Sequence, residues 1–135
     1  MKGLVLDSSC IAHIGTSRKL SSLIVQCTNG VLNLCVPALA LTEAAARSTT
    51  AEAAFHVYRL CQEIPSNRMF VAPLGDNAIA FGSFRSNHAV PLDGNAHAAY
   101  EAMSMFWGLV SMDKHYIDSY RDIGVHVIDA RDNER

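Results

Sequence analysis

Short unbroken apolar runs alternate along the chain with longer stretches in which apolar residues return at helical spacing. The first run, Gly3–Leu6 (GLVL), predicts a strand buried on both faces. A helix is expected from there through Ile14, capped by Ser8 or Ser9. Ser17–Gln26 carries Leu20, Leu23 and Ile24 on one helical face and is stopped by Asn29-Gly30. Val31–Pro37 reads as a second strand that ends at its proline. Ala38–Arg47 is an alanine-rich helix containing Glu43, and Thr50–Ile64 repeats the helical spacing at Ala54, Val57, Tyr58 and Cys61. Met69–Pro73 is a third strand and Asp76–Ser86 a helix. Asn95–Trp107 predicts a long apolar helix. Gly108–Asp113 (GLVSMD) then repeats the opening pattern, an apolar run closed by an aspartate. A short helix over Tyr116–Arg121 and a last strand over Val125–Ala130 complete the set.

Strands separated by helices imply an α/β fold with three layers, a mainly parallel sheet of four to five strands flanked by helices. Sheets of this kind place their sites at the carboxyl ends of the strands. Asp7 and Asp113 both fall at such ends, and they would meet if the first and fourth strands were neighbours.

Composition narrows the picture without changing it. A chain of 135 residues, half of them hydrophobic, is expected to bury one core, over residues 1–130, with a polar tail at 131–135. The net charge of −2 excludes a strongly basic protein that coats nucleic acid. It leaves open an enzyme whose acidic centre is balanced by local basic residues. The four cysteines form no CxxC pair and lie among apolar residues, as expected of reduced thiols in a cytoplasmic protein. The first apolar run is too short for a signal peptide and no later run is long enough to span a membrane, so no membrane association is expected.

The candidate chemistry is acidic. Taken singly, Asp7 and Asp113 read as helix caps and Glu43 as a solvated residue one turn from Arg47. Taken together, two strand-end aspartates and an acid in an otherwise alanine-rich helix suggest carboxylates gathered around a cation. Oxygen ligands suit Mg²⁺ or Mn²⁺, which accept one or two carboxylates and keep several waters. The histidines show no HExxH or paired spacing, and there is neither a GxSxG elbow nor a glycine-rich phosphate loop. Arg47, Lys114 and His115 are the candidates for contact with substrate phosphate.

The segments LVLDSSCIAHI, VPALALTEAAAR, AHAAYEA and GLVSMDKHYIDSYRDIGVHVI resemble successive blocks of a PIN domain, in order and over most of the chain. The likeness is to the short bacterial kind found as VapC toxins of toxin–antitoxin operons. It implies a Mg²⁺- or Mn²⁺-dependent endoribonuclease with an RNA substrate, usually a homodimer, held inactive by a small antitoxin. It also implies that Asp7, Glu43 and Asp113 are catalytic acids, that Asp7 and Asp113 hold the metal, and that Ser9 supports the first acid. The family's third acid aligns with Asn95, and Asp93 lies two residues earlier. Either Asp93 or Asn95 would complete the metal site, Asp93 as a fourth catalytic acid or Asn95 as a neutral support. The neutral residue opens an alternative function, a PIN-like module that binds RNA or a protein partner without cleavage. A third alternative is an α/β domain whose acids are caps and nothing more.

Overall fold

Successive side chains of a strand point to opposite faces, and that geometry divides the core of this chain in two. The computed structural model describes residues 3–90 and 93–131. In chain order the elements are β1 (Gly3–Leu6), α1 (Ser8–Ala12), α2 (Arg18–Thr28), β2 (Asn33–Pro37), α3 (Ala38–Ala46) and α4 (Ala51–Glu63). They are followed by β3 (Met69–Ala72), α5 (Ala78–His88), α6 (Gly94–Met105), β4 (Gly108–Ser111), α7 (Lys114–Asp122) and β5 (Val127–Asp129). Leu4 and Leu6 of β1, Leu34 and Val36 of β2, and Val110 of β4 enter one core with Ile11, Leu20, Ala40, Ala44 and Val57 from α1 to α4. The intervening Val5, Cys35 and Leu109 enter the other, with Ala98, Ala99 and Ala102 of α6 and Ile117 and Tyr120 of α7. Burial on both faces explains why the strands read as continuous apolar runs rather than alternating ones.

Among the described residues the five strands are all parallel, in the order β3-β2-β1-β4-β5. The chain builds outward from β1 to β3, then returns to the other side of β1 for β4. That reversal opens a crevice between the carboxyl ends of β1 and β4, where Val5 pairs with Leu109 and Leu6 with Val110. The three-layer α/β architecture and the neighbouring first and fourth strands agree with the sequence pattern.

Several boundaries move by one or two residues, and one move matters. Asp7, not Ser8 or Ser9, is the N-cap of α1, its side chain accepting from the Cys10 N–H; both serines lie inside the helix. Asp113 likewise caps α7, which therefore starts at Lys114 rather than at Tyr116. Asp93 caps α6, whose first residue is Gly94. Cys10, Cys27 and Cys35 are buried, Cys61 is half-buried, and all four are free thiols. Burial pushes the Cys61 thiol up to about 11. Among the described residues no helix is long and apolar enough to cross a membrane. Arg131, the first residue of the expected tail, forks onto the Asp129 carboxylate; the rest of the tail, 132–135, lies outside the described residues.

Candidate active site

Each strand-end aspartate begins as a backbone necessity. The first turn of a helix leaves N–H groups without intrahelical partners, and a side-chain oxygen just before it satisfies one. Asp7 does this for Cys10 at 3.1 Å, Asp93 for Ala96 at 2.8 Å and Asp113 for Tyr116 at 3.3 Å. In all three the bond uses Oδ1. The surroundings of the other oxygen then decide what each carboxylate can do.

At Asp7 the surroundings are closed. The residue is 0% exposed. Its Oδ1 also accepts from the Ser9 hydroxyl at 2.6 Å, and its Oδ2 from the Tyr120 hydroxyl of α7 at 2.9 Å. Burial raises its pKa; hydrogen bonds from Ser111, Ser9, the Cys10 N–H and Tyr120 oppose that rise. Burial, and next the Asp7 charge, push the Tyr120 hydroxyl far up, so it stays a donor. The same two causes raise the Cys10 thiol. Ser9 completes a relay across the two strand ends. It donates to Asp7, accepts from the Met112 N–H at 2.8 Å, and lies 3.4 Å from the Ser111 hydroxyl, which accepts from the Asp113 N–H at 3.2 Å.

Above this buried network is a cavity of about 390 Å³. Glu43, Asp93, Asn95, Asp113, Ser9 and Arg47 all line it. The fold therefore brings together every acid singled out in the sequence except Asp7, which lies behind Ser9. Among the described residues, Glu43, Asp93 and Asp113 make no ion pair, and Glu43 and Arg47 do not pair although they are one turn apart. The other two phosphate candidates fall elsewhere. Lys114 pairs with Asp118 at 3.4 Å, and His115 lines an adjoining cavity.

The close approach of α6 to α3 sets the shape of the cavity. A Cβ on Gly94 would overlap the backbone of Ala40 and lie 3.0 Å from Glu43 Oε1, so only glycine lets the start of α6 reach this contact. The contact places Asp93 and Asn95 beside Glu43. His97, fully buried, fastens the same two helices. Its Nδ1 accepts the Leu39 N–H at 3.3 Å, supplying the cap that Pro37 cannot give α3, and its Nε2 donates to Glu101 at 3.0 Å. Asn95 is 6% exposed, and its Oδ1 accepts from the Ser8 hydroxyl at 3.0 Å and the Ser8 N–H at 3.4 Å. Because an N–H can only donate, the oxygen of Asn95 must face Ser8 and its amide nitrogen must face away.

The donor chemistry fits a hard divalent cation. Every acidic donor around the cavity is an oxygen, and Asp93 and Asp113 each keep one carboxylate oxygen outside their capping bonds. Among the described residues no three His, Cys, Asp or Glu side chains stand close enough to share one ion. The fit is thus to an ion that takes one or two carboxylates and keeps most of its waters.

Sequence reasoning missed Tyr120 and Tyr116. Their spacing with Ile117 marks the inward face of α7, which was visible, but the partner that gives Tyr120 its role is remote in the chain. Tyr120 meets Asp7 across 113 positions.

An acidic cavity at the switch point of a small parallel α/β sheet defines a class of domain, and comparison with solved structures identifies the fold. No family model matches the sequence, and no curated protein matches it significantly. A domain of a functionally unknown protein from Methanocaldococcus jannaschii is similar over 100% of this chain and 95% of its own, with a TM-score of 0.64 at 12% identity. The DNA-bound VapBC structure from Salmonella typhimurium matches over 96% of this chain and 98% of that one, with a TM-score of 0.63 at 20% identity. A PilT N-terminus domain protein from Sulfolobus solfataricus matches over 94% and 86%, with a TM-score of 0.52 at 15% identity. The chain has a PIN-domain, VapC-like fold.

Proposed function

We propose that the protein is a Mg²⁺- or Mn²⁺-dependent endoribonuclease of the PIN, VapC-like type. The observation that carries this reading is the meeting of Glu43, Asp93 and Asp113 around one cavity at the carboxyl ends of β1 and β4, with no cation of the described chain paired to them. Unneutralised carboxylates gathered this way favour binding of an external cation. The residues that would hold it are Asp113 and Asp93, while Asp7 stays behind them, its two oxygens taken by Ser9 and Tyr120. When bound, the ion supplies Lewis acidity toward a phosphoryl oxygen and toward the attacking water. Glu43, half-buried and without a hydrogen-bond partner among the described residues, accepts the proton of that water. Arg47 at the cavity mouth pairs with a backbone phosphate of the substrate strand. Asp7 keeps Ser9 oriented and places buried negative charge behind the site.

A small antitoxin-type protein is the partner we propose for the acidic mouth, and the likeness to VapBC and FitAB structures supports it. A homodimer is proposed on the sequence resemblance alone. The four free thiols suit the reducing cytoplasm in which RNA would be met.

Thermal unfolding in EDTA and in Mn²⁺ tests the site without a substrate. Mn²⁺ should raise the Tm of the parent by mass action, and Asp113→Asn should remove most of that rise. Equal rises in parent and variant would refute the metal site. A second reading, RNA binding without cleavage, is favoured by one observation: the first turn of α6 presents neutral Asn95 to the cavity, with its oxygen already held by Ser8. Asn95→Asp keeps that acceptor and adds a charge. Under the nuclease reading it should increase Mn²⁺-dependent cleavage of a mixed RNA pool; if neither parent nor variant cleaves, the binding-only reading stands.

A further inference from the structure

We propose that a second cavity, between α6 and α7, is a nucleobase subsite that receives one base of the strand whose phosphate lies over the acidic cavity. The proposal rests on the nucleic-acid reading above and adds to it where the substrate is gripped.

Four observations carry it. The cavity holds about 370 Å³ and shares Asp93, Asn95 and Tyr116 with the acidic one, so the two form adjoining compartments rather than separate sites. Its described lining contains no Lys or Arg, whereas Arg47 lines the acidic cavity. A phosphate therefore has its cationic partner in the first compartment and none in the second. The floor is made by Ala96 and Ala99, whose small side chains leave room for a flat ring. The aromatic wall is already fixed in place. Tyr116 stacks on Tyr120 with ring centres 6.2 Å apart and planes inclined by 28°, and His115 meets its edge at 5.6 Å.

A half-buried aromatic ring held by its neighbours loses little freedom when a base stacks on it, and stacking tolerates any base. Ser119 and Asp122 at the rim offer a hydroxyl and a carboxylate to the polar edge of the base. Tyr116, at the boundary of the two compartments, would separate the base from the reacting phosphate and set the register of the strand.

The test uses a short 2′-O-methyl oligoribonucleotide carrying 2-aminopurine, with Ca²⁺ in place of Mn²⁺, and reads affinity and fluorescence quenching. The parent should bind and quench the reporter. Tyr116→Ala should weaken binding by about five- to hundredfold and abolish quenching. Ser119→Phe, at an exposed position of α7, should fill the mouth of the cavity and weaken binding to a similar extent without disturbing the core. Phe106→Ser, at the opposite end of the sheet, should leave both readouts unchanged. If the parent binds and quenches, and both α7 variants behave like it, the subsite is refuted while the nuclease reading stands. If the parent does not bind the oligonucleotide at all, both fail together.

Discussion

Asp7 and Asp113 occupy equivalent places. Each follows a buried parallel strand, each caps the next helix through Oδ1, and the two strands are hydrogen-bonded neighbours. Their second oxygens live in different worlds. That of Asp7 is sealed under the Tyr120 hydroxyl, in a residue with no exposed surface, while Asp113 is half-buried on the wall of a cavity. The local pattern of apolar run, acid and helix dictates the cap. What the carboxylate can do beyond capping is decided by which distant helix face covers it, and α7 covers one aspartate while being launched by the other.

The contrast is sharpest in unfolding experiments. Asp7→Ala would leave the Cys10 N–H and the Tyr120 hydroxyl without their acceptor in the interior and release the Ser9 hydroxyl, at a cost of about 3 kcal/mol or more. Asp113→Ala should cost about 1 kcal/mol, the usual worth of an N-cap. Urea denaturation of both variants in EDTA gives the comparison, and similar losses would show that the two sites are not different in kind.

Tyr120→Phe isolates the seal. It removes one hydrogen bond to a buried carboxylate and should destabilise by about 1.5–3 kcal/mol. If the seal also restrains Asp7 from an ion, the variant should gain more Tm from Mn²⁺ than the parent does. An unchanged urea midpoint would remove Tyr120 from the network.

The smallest effect is one of pH. The folded-state pKa of Asp7 is raised by burial, so the stability it contributes is fully present below the pKa of the unfolded chain and is lost as pH rises through the folded value. Asp7→Asn cannot titrate. The stability of the variant minus that of the parent should therefore increase as pH climbs from the acid range toward neutrality, with metal chelated. A flat or falling difference would contradict a desolvated carboxylate.

Much of this architecture was written plainly in the sequence. The apolar runs gave away the strands because burial on both faces forces them to be continuous, and GLVL and GLVS could be matched as a pair of strand ends. The contents of the acidic cavity were also foreshadowed, since Glu43, Asp93, Asn95 and Asp113 do meet. Other features were hidden for definite reasons. Serine and aspartate cap helices about equally well, so the choice of Asp7 over Ser8 depends on how α1 is seated against the strand ends. The burial of Asp7 depends on Tyr120, a partner that no local pattern announces. Gly94 heads α6, and its significance, room for α3, exists only once the two helices touch.

His97 extends that last point. Glu43 and Asp93 come from segments far apart in the chain, yet one imidazole bonded to the start of α3 and to Glu101 of α6 ties the two helices together from inside the core. The width of the acidic mouth is thus a dimension of the packed scaffold rather than a property of any loop. Connections around the rim could be lengthened, shortened or exchanged by evolution or by design, and the jaws would stay at the same gauge.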